Sequence, residues 1–117
     1  MRLISCGAAD GKLVVYFHGA PGAPEECLLF DQQGQADGLT FVSLDRFAAE
    51  PALQGEGYFR ALAVEILACA GNARVHFVGF SIGAFVALHT FRHMQGRVDS
   101  LNLISAAAPL NVLCPET

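Results

Sequence analysis

The chain has 117 residues, 53% of them apolar and 15% charged, and a formal net charge of −4. That length suits one domain, spanning residues 1–117, able to bury roughly two thirds of its unfolded surface. Its 7 Lys and Arg form no cluster that could neutralise a run of phosphates, so nucleic acid is not an expected partner.

Arg2-Leu3-Ile4-Ser5 is a short first strand candidate, and Leu13-Val14-Val15-Tyr16-Phe17 is a continuous apolar run that stops at His18-Gly19. Runs of the second kind suit a strand buried on both faces, as in a parallel sheet. A helix should follow, with Pro24 in its first turn, Glu25 and Glu26 at the positive end of its dipole and Gly34 as its stop. Thr40-Phe41-Val42-Ser43-Leu44 is the next strand, and Ala48 to Gly57 is an irregular insert. Phe59, Leu62, Ala63 and Ile66 recur at helical spacing before Gly71. Val75-His76-Phe77-Val78 is a further strand, Ile82 to Met94 a helix apolar on nearly every face and ended by Gly96, and Leu101-Asn102-Leu103-Ile104 the last strand. An all-round apolar helix belongs in the interior. The alternation predicts an α/β fold: an open, mostly parallel sheet with helices on both faces.

Gly79-Phe80-Ser81-Ile82-Gly83 stands where a strand meets that buried helix. The spacing is that of a nucleophile elbow, in which a sharp strand-to-helix turn exposes a serine hydroxyl. Glycines two residues to either side are needed because side chains there would strike the neighbouring strand or helix. The hydroxyl then lies beside a helix N-terminus, whose N–H groups can stabilise an oxyanion. His18-Gly19-Ala20-Pro21-Gly22 follows the first long strand, where an oxyanion loop would sit.

With these two motifs, Leu44-Asp45-Arg46 after the next strand and Leu103-Ile104-Ser105-Ala106-Ala107 after the last, the chain resembles the α/β-hydrolases over nearly its whole length. The resemblance implies a partial α/β-hydrolase fold, about the third to the sixth strand of the usual eight with part of the second. It implies that Ser81 is the nucleophile and that the backbone N–H groups of Ala20 and Ile82 form the oxyanion hole. His18, Gly19 and Phe80 are candidates for substrate contact. The implied activity is that of a serine hydrolase on ester, amide or related acyl substrates, and an acyltransferase on the same scaffold would differ only in the acceptor.

The other polar residues have structural readings. His18 orders its own loop by hydrogen bonds; Asp45 and Arg46 form a loop-tethering ion pair or a contact at the substrate mouth. His76 is a core or sheet-edge residue, and His89 and His93 lie on the helix after the elbow, turned away from the serine. A serine needs a base and an orienting carboxylate, and in this fold the order is serine, acid, histidine. After Ser81 the carboxylates are Asp99 and Glu116, of which Glu116 is a weak candidate, and no suitable histidine follows. The chain is therefore expected to be an N-terminal half, incomplete by itself and completed by further sequence or a partner.

The strand 101–104, left as an edge, is expected to recruit a second copy or a completing chain, and the alternative function is a non-catalytic hydrolase-like module that self-associates or binds a partner. Cys6, Cys27, Cys69 and Cys114 show no metal-ligand spacing and read as reduced, mostly buried thiols. No metal or cofactor is implied. With no signal-peptide pattern and no apolar run near the ~18 residues of a membrane helix, a cytoplasmic location without membrane contact is the expectation.

Overall fold

The computed structural model describes residues 2–20, 22–45 and 55–107. Five strands, β1 (Leu3–Gly7), β2 (Lys12–Phe17), β3 (Leu39–Leu44), β4 (Val75–Phe80) and β5 (Val98–Ile104), form one sheet in the order β1-β3-β2-β4-β5. β2 pairs in parallel with both β3 and β4, and β4 in parallel with β5, while β1 runs antiparallel to β3. A 3-10 helix (Pro24–Phe30) followed by α1 (Asp31–Asp37) links β2 to β3. Helices α2 (Glu56–Ala70) and α3 (Ile82–Phe91) complete the order.

Side chains alternate across each strand, so the central strand supplies both layers. Val15 and Phe17 on one face of β2 pack with Val42, Leu44, Phe77 and the apolar stripe of α2 (Phe59, Leu62, Ala63, Ile66) and with Val86 and Ala87 of α3. Val14 and Tyr16 on the opposite face pack with Cys27 and Phe41, with Phe30 against them. Helices thus cover both faces of the sheet, as the alternating pattern implies.

The element boundaries depart from expectation at three places. Gly34 does not end a helix: α1 runs through it to Gly38, which takes the left-handed conformation at φ 69°. Gly34 is instead a packing residue, since a Cβ there would lie 2.9 Å from Leu39 O and 3.0 Å from Gly7 Cα. The segment before it is a 3-10 helix, with the Asp31 side chain taken by the Gly7 N–H at 2.7 Å. β5 begins three residues earlier than its apolar run, held by pairing of Val98 with Val75 across a bulge. Helix α3 ends at Phe91, and Leu88 and Phe91 are exposed while Gly83, Ala84, Val86, Ala87 and Thr90 are buried. It is half-buried, not interior on all sides.

Of the insert Ala48 to Gly57, residues 48–54 lie outside the described residues, as do Pro21, Arg46, Cys114 and Glu116, and Glu56 and Gly57 already belong to α2. Cys6 and Cys27 are free thiols 3.9 Å apart, and burial pushes Cys27 up to about 12; Cys69 is exposed, against expectation. Among the described residues no helix is long and apolar enough to cross a membrane.

Thr90 carries a buried hydroxyl without a hydrogen-bond partner among the described residues. A buried, unpartnered polar group costs about 1–3 kcal/mol. Thr90→Val, which puts a methyl in its place, should raise the urea midpoint by an amount equivalent to about 1 kcal/mol with an unchanged m-value. A fall in the midpoint would show that the hydroxyl is satisfied in solution.

Candidate active site

Ser81 joins β4 to α3 with φ 58° and ψ −123°, a backbone conformation that a residue bearing a side chain rarely adopts. Holding it there costs of order 1–3 kcal/mol, which the surroundings must offset. They do so with backbone hydrogen bonds on both sides: the Ser81 N–H donates to Ile104 O at 3.0 Å, and Ser81 O accepts from the N–H groups of Ala84 at 3.0 Å and Ala107 at 3.1 Å. The side chain makes no capping hydrogen bond to the helix it precedes. Serine before a helix ordinarily earns its place through that bond; here the hydroxyl is left for something else.

The two glycines are required by contact. A Cβ on Gly79 would lie 2.6 Å from Ala84 Cα and 2.7 Å from Gly83 O. One on Gly83 would lie 2.1 Å from Phe17 O and 2.6 Å from His18 O. The first turn of α3 therefore rests directly on the backbone at the end of β2. That approach brings the loop after β2 to the serine: a Cβ on Gly19 would be 3.6 Å from Ser81 Cβ and 3.3 Å from the Phe80 ring. The two motifs, about sixty positions apart in the chain, meet in space.

His18 is fully buried, and its Nδ1 lies 2.9 Å from Gly19 O. A carbonyl can only accept, so Nδ1 carries the proton in this contact. Gly19 C=O and Ala20 N–H belong to one planar peptide, so the bond that fixes the carbonyl also sets the direction of the Ala20 N–H. The N–H of Ile82, first residue of α3, is among the four donors that a helix leaves without an intrahelical partner. Ala20 is exposed and Ile82 half-buried.

Glu26, placed by the sequence only as a favourable charge for a helix terminus, is a residue that sequence reasoning missed. Its Oε1 accepts the Tyr16 hydroxyl at 2.9 Å and, at a long 3.4 Å, the Gly19 N–H. Burial, with Glu26 as acceptor, pushes the Tyr16 phenol up, so the hydroxyl remains a donor. An apolar cleft of about 410 Å³, lined by Tyr16, Glu26, Leu29, Phe30, Phe80 and Ile104, opens beside the residue before Ser81 and the residue that accepts its N–H.

The remaining polar residues are engaged elsewhere. His76 Nδ1 is 2.6 Å from Ser100 Oγ. The His89 ring stacks on Phe59 at 5.0 Å, and His93 Nε2 is 2.6 Å from Glu56, which also binds Arg92. Asp45 is in an ion pair: Arg2, just before β1, holds it at 3.0 Å and holds Glu25 at 2.7 Å, and Arg46 lies outside the described residues. Asp99 pairs with Arg74.

No family model matches the sequence, and no curated protein matches it. Solved structures do. The NocB thioesterase domain, determined as a covalent complex with a fluorophosphonate nocardicin G analog, superposes with a TM-score of 0.75 at 17% identity, covering 99% of this chain and 54% of that one. The esterase EaEST from Exiguobacterium antarcticum gives 0.70 at 21% identity, covering 89% and 40%. An α/β-hydrolase enzyme from the metagenome of lagoon sediments at Mar Chica, Morocco, gives 0.69 at 19% identity, covering 89% and 48%. The chain spans about half the length of these structures or less. What they share with it is the arrangement of sheet and helices, and on that ground the chain has the α/β-hydrolase fold, over the part that carries β1 to β5.

Proposed function

We propose that the chain carries the nucleophile half of a serine hydrolase acting on ester, thioester, amide or related acyl substrates. The observation that supports this best is the elbow itself: a serine at φ 58°, its hydroxyl not spent on a helix cap, set beside the His18-Gly19 loop. In this reading Ser81 Oγ attacks the acyl carbon and loses its proton to a base, and the carbonyl oxygen takes the negative charge. The N–H groups of Ala20 and Ile82 donate to that oxygen. Collapse expels the leaving group, which takes the proton, and water then releases the acid and frees the serine. An acceptor other than water would make the same site an acyltransferase.

Phe80 and the apolar cleft beside it suit an apolar acyl group, whereas His18 supports the loop and Gly19 gives it close approach. The base and its carboxylate are assigned to residues outside the described set, in further sequence or in a completing chain, because His76, His89 and His93 are committed to Ser100, Phe59 and Glu56. Without them, oxyanion stabilisation alone leaves a slow residual reactivity. No cofactor enters the scheme.

A second reading rests on a separate observation. Among the described residues β5 is an edge strand, with Leu103 42% and Ile104 47% exposed. Beside it a groove of about 440 Å³, lined by residues that include Val14, Phe41, His76, Val78, Ser100 and Asn102, lies open on the sheet face. An unprotected apolar edge invites another strand. In that reading the chain is a hydrolase-like binding module that pairs with itself or a partner.

Two measurements test these readings. Prolonged incubation with a fluorophosphonate, read by mass spectrometry of the intact chain, should add one adduct to the wild type and none to Ser81→Ala. Equal labelling of the two, or an unlabelled wild type, would remove Ser81 from the chemistry. Size-exclusion chromatography should show a dimer that Leu103→Lys converts to monomer, because a charge at the pairing edge opposes strand addition; a wild-type monomer at high micromolar concentration would count against association through β5.

A further inference from the structure

Glu26 stands on the 3-10 helix, half-buried, with its carboxylate turned back toward the sheet and the loop after β2. One oxygen gathers two donors: the Tyr16 hydroxyl at 2.9 Å, from β2, and the Gly19 N–H at 3.4 Å, from the loop. The other oxygen occupies the space a side chain at Gly22 would need, for a Cβ there would lie 2.1 Å from Glu26 Oε2 and 2.5 Å from Gly19 O. The second glycine of the His18–Gly22 motif is thus absent of side chain where this carboxylate and the Gly19 carbonyl converge. The turn Glu26 N–H to Ala23 O, at 3.0 Å, closes the same loop from behind.

From this we infer that Glu26 is a positioning residue for the oxyanion loop: it holds the Gly19 N–H while His18 holds the Gly19 carbonyl, so that the next peptide presents the Ala20 N–H toward Ser81. The inference rests on the reading of Ser81 as nucleophile, and extends it to a residue that acts through the loop, not on the reacting atoms. A Gly-rich loop has little conformational restraint of its own. Two side-chain bonds, one to the N–H and one to the carbonyl of Gly19, supply it.

Glu26→Ala and Glu26→Gln in the full chain separate this role from general stability. The amide oxygen of Gln can accept the same two donors; Ala cannot. The rate at which fluorophosphonate labels Ser81 should fall about 10- to 100-fold in Glu26→Ala, the scale of a misaimed catalytic group, and stay within about threefold of wild type in Glu26→Gln. Amide hydrogen exchange, which does not depend on Ser81 reactivity, should accelerate at Gly19 in Glu26→Ala only, with the β4 amides unchanged. A Glu26→Ala chain that labels at the wild-type rate overturns the inference, as does an equal loss in both variants or an unaltered Gly19 exchange. A wild-type chain that takes no label sinks the nucleophile reading instead, and exchange alone then decides whether Glu26 anchors the loop.

Discussion

The seating of α3 on the end of β2 is the contact on which the arrangement of this site depends. Gly83 lies so close to the carbonyls of Phe17 and His18 that a single methyl would overlap them. Because the helix starts there, the strand-to-helix turn must be completed in one residue, and that residue must take a positive φ. The strain at Ser81 is thus a consequence of packing, and the hydrogen bonds from Ala84 and Ala107 and to Ile104 are what hold it. Relaxing the turn would lift α3 from the sheet and uncover the Val86 and Ala87 side of the core.

The same contact explains why the loop after β2 stands where it does. Its first residue, His18, is pinned beneath α3 and fully buried. From that fixed start the loop needs only a few bonds to settle, and it receives them from unlike sources: an imidazole on one carbonyl, a carboxylate on one N–H. Both sites lie on Gly19, whose missing side chain leaves room for Phe80 and Ser81. Buried polar groups of this kind are costly when half-satisfied, so the network and the loop stand or fall together.

Much of this was legible in the sequence because the signals were local. Runs such as Leu13–Phe17 announced strands buried on both faces, and Gly79 and Gly83 announced a turn with no room for side chains. Boundaries were less legible where a glycine served packing and not termination. Gly34 reads as a helix stop by type, but only the approach of Gly7 and Leu39 across the fold shows why it is glycine. Glu26 has the same character: in sequence it is an acid near a helix start, and nothing within its neighbourhood of the chain indicates Tyr16 and Gly19 as partners. The Asp45 partner Arg2 was not legible for a related reason, since Arg2 reaches it only through the antiparallel pairing of β1 with β3. No local pattern announces that pairing.

The bond from the Ser81 N–H to Ile104 O also ties the elbow to the outermost strand. Among the described residues β5 has a neighbour on one side only, and its last three residues are exposed. A strand added along that edge would fix the carbonyl that steadies the serine, and fraying of the edge would loosen it. The position of the hydroxyl is therefore coupled to whatever occupies the edge by one backbone hydrogen bond, with Ala107 adding a second from the segment that follows. An elbow built this way gains rigidity from sheet completion without any new contact to the serine itself. On the readings proposed for this chain, association at an exposed apolar edge and chemistry at a strained serine would act on the same few atoms of backbone.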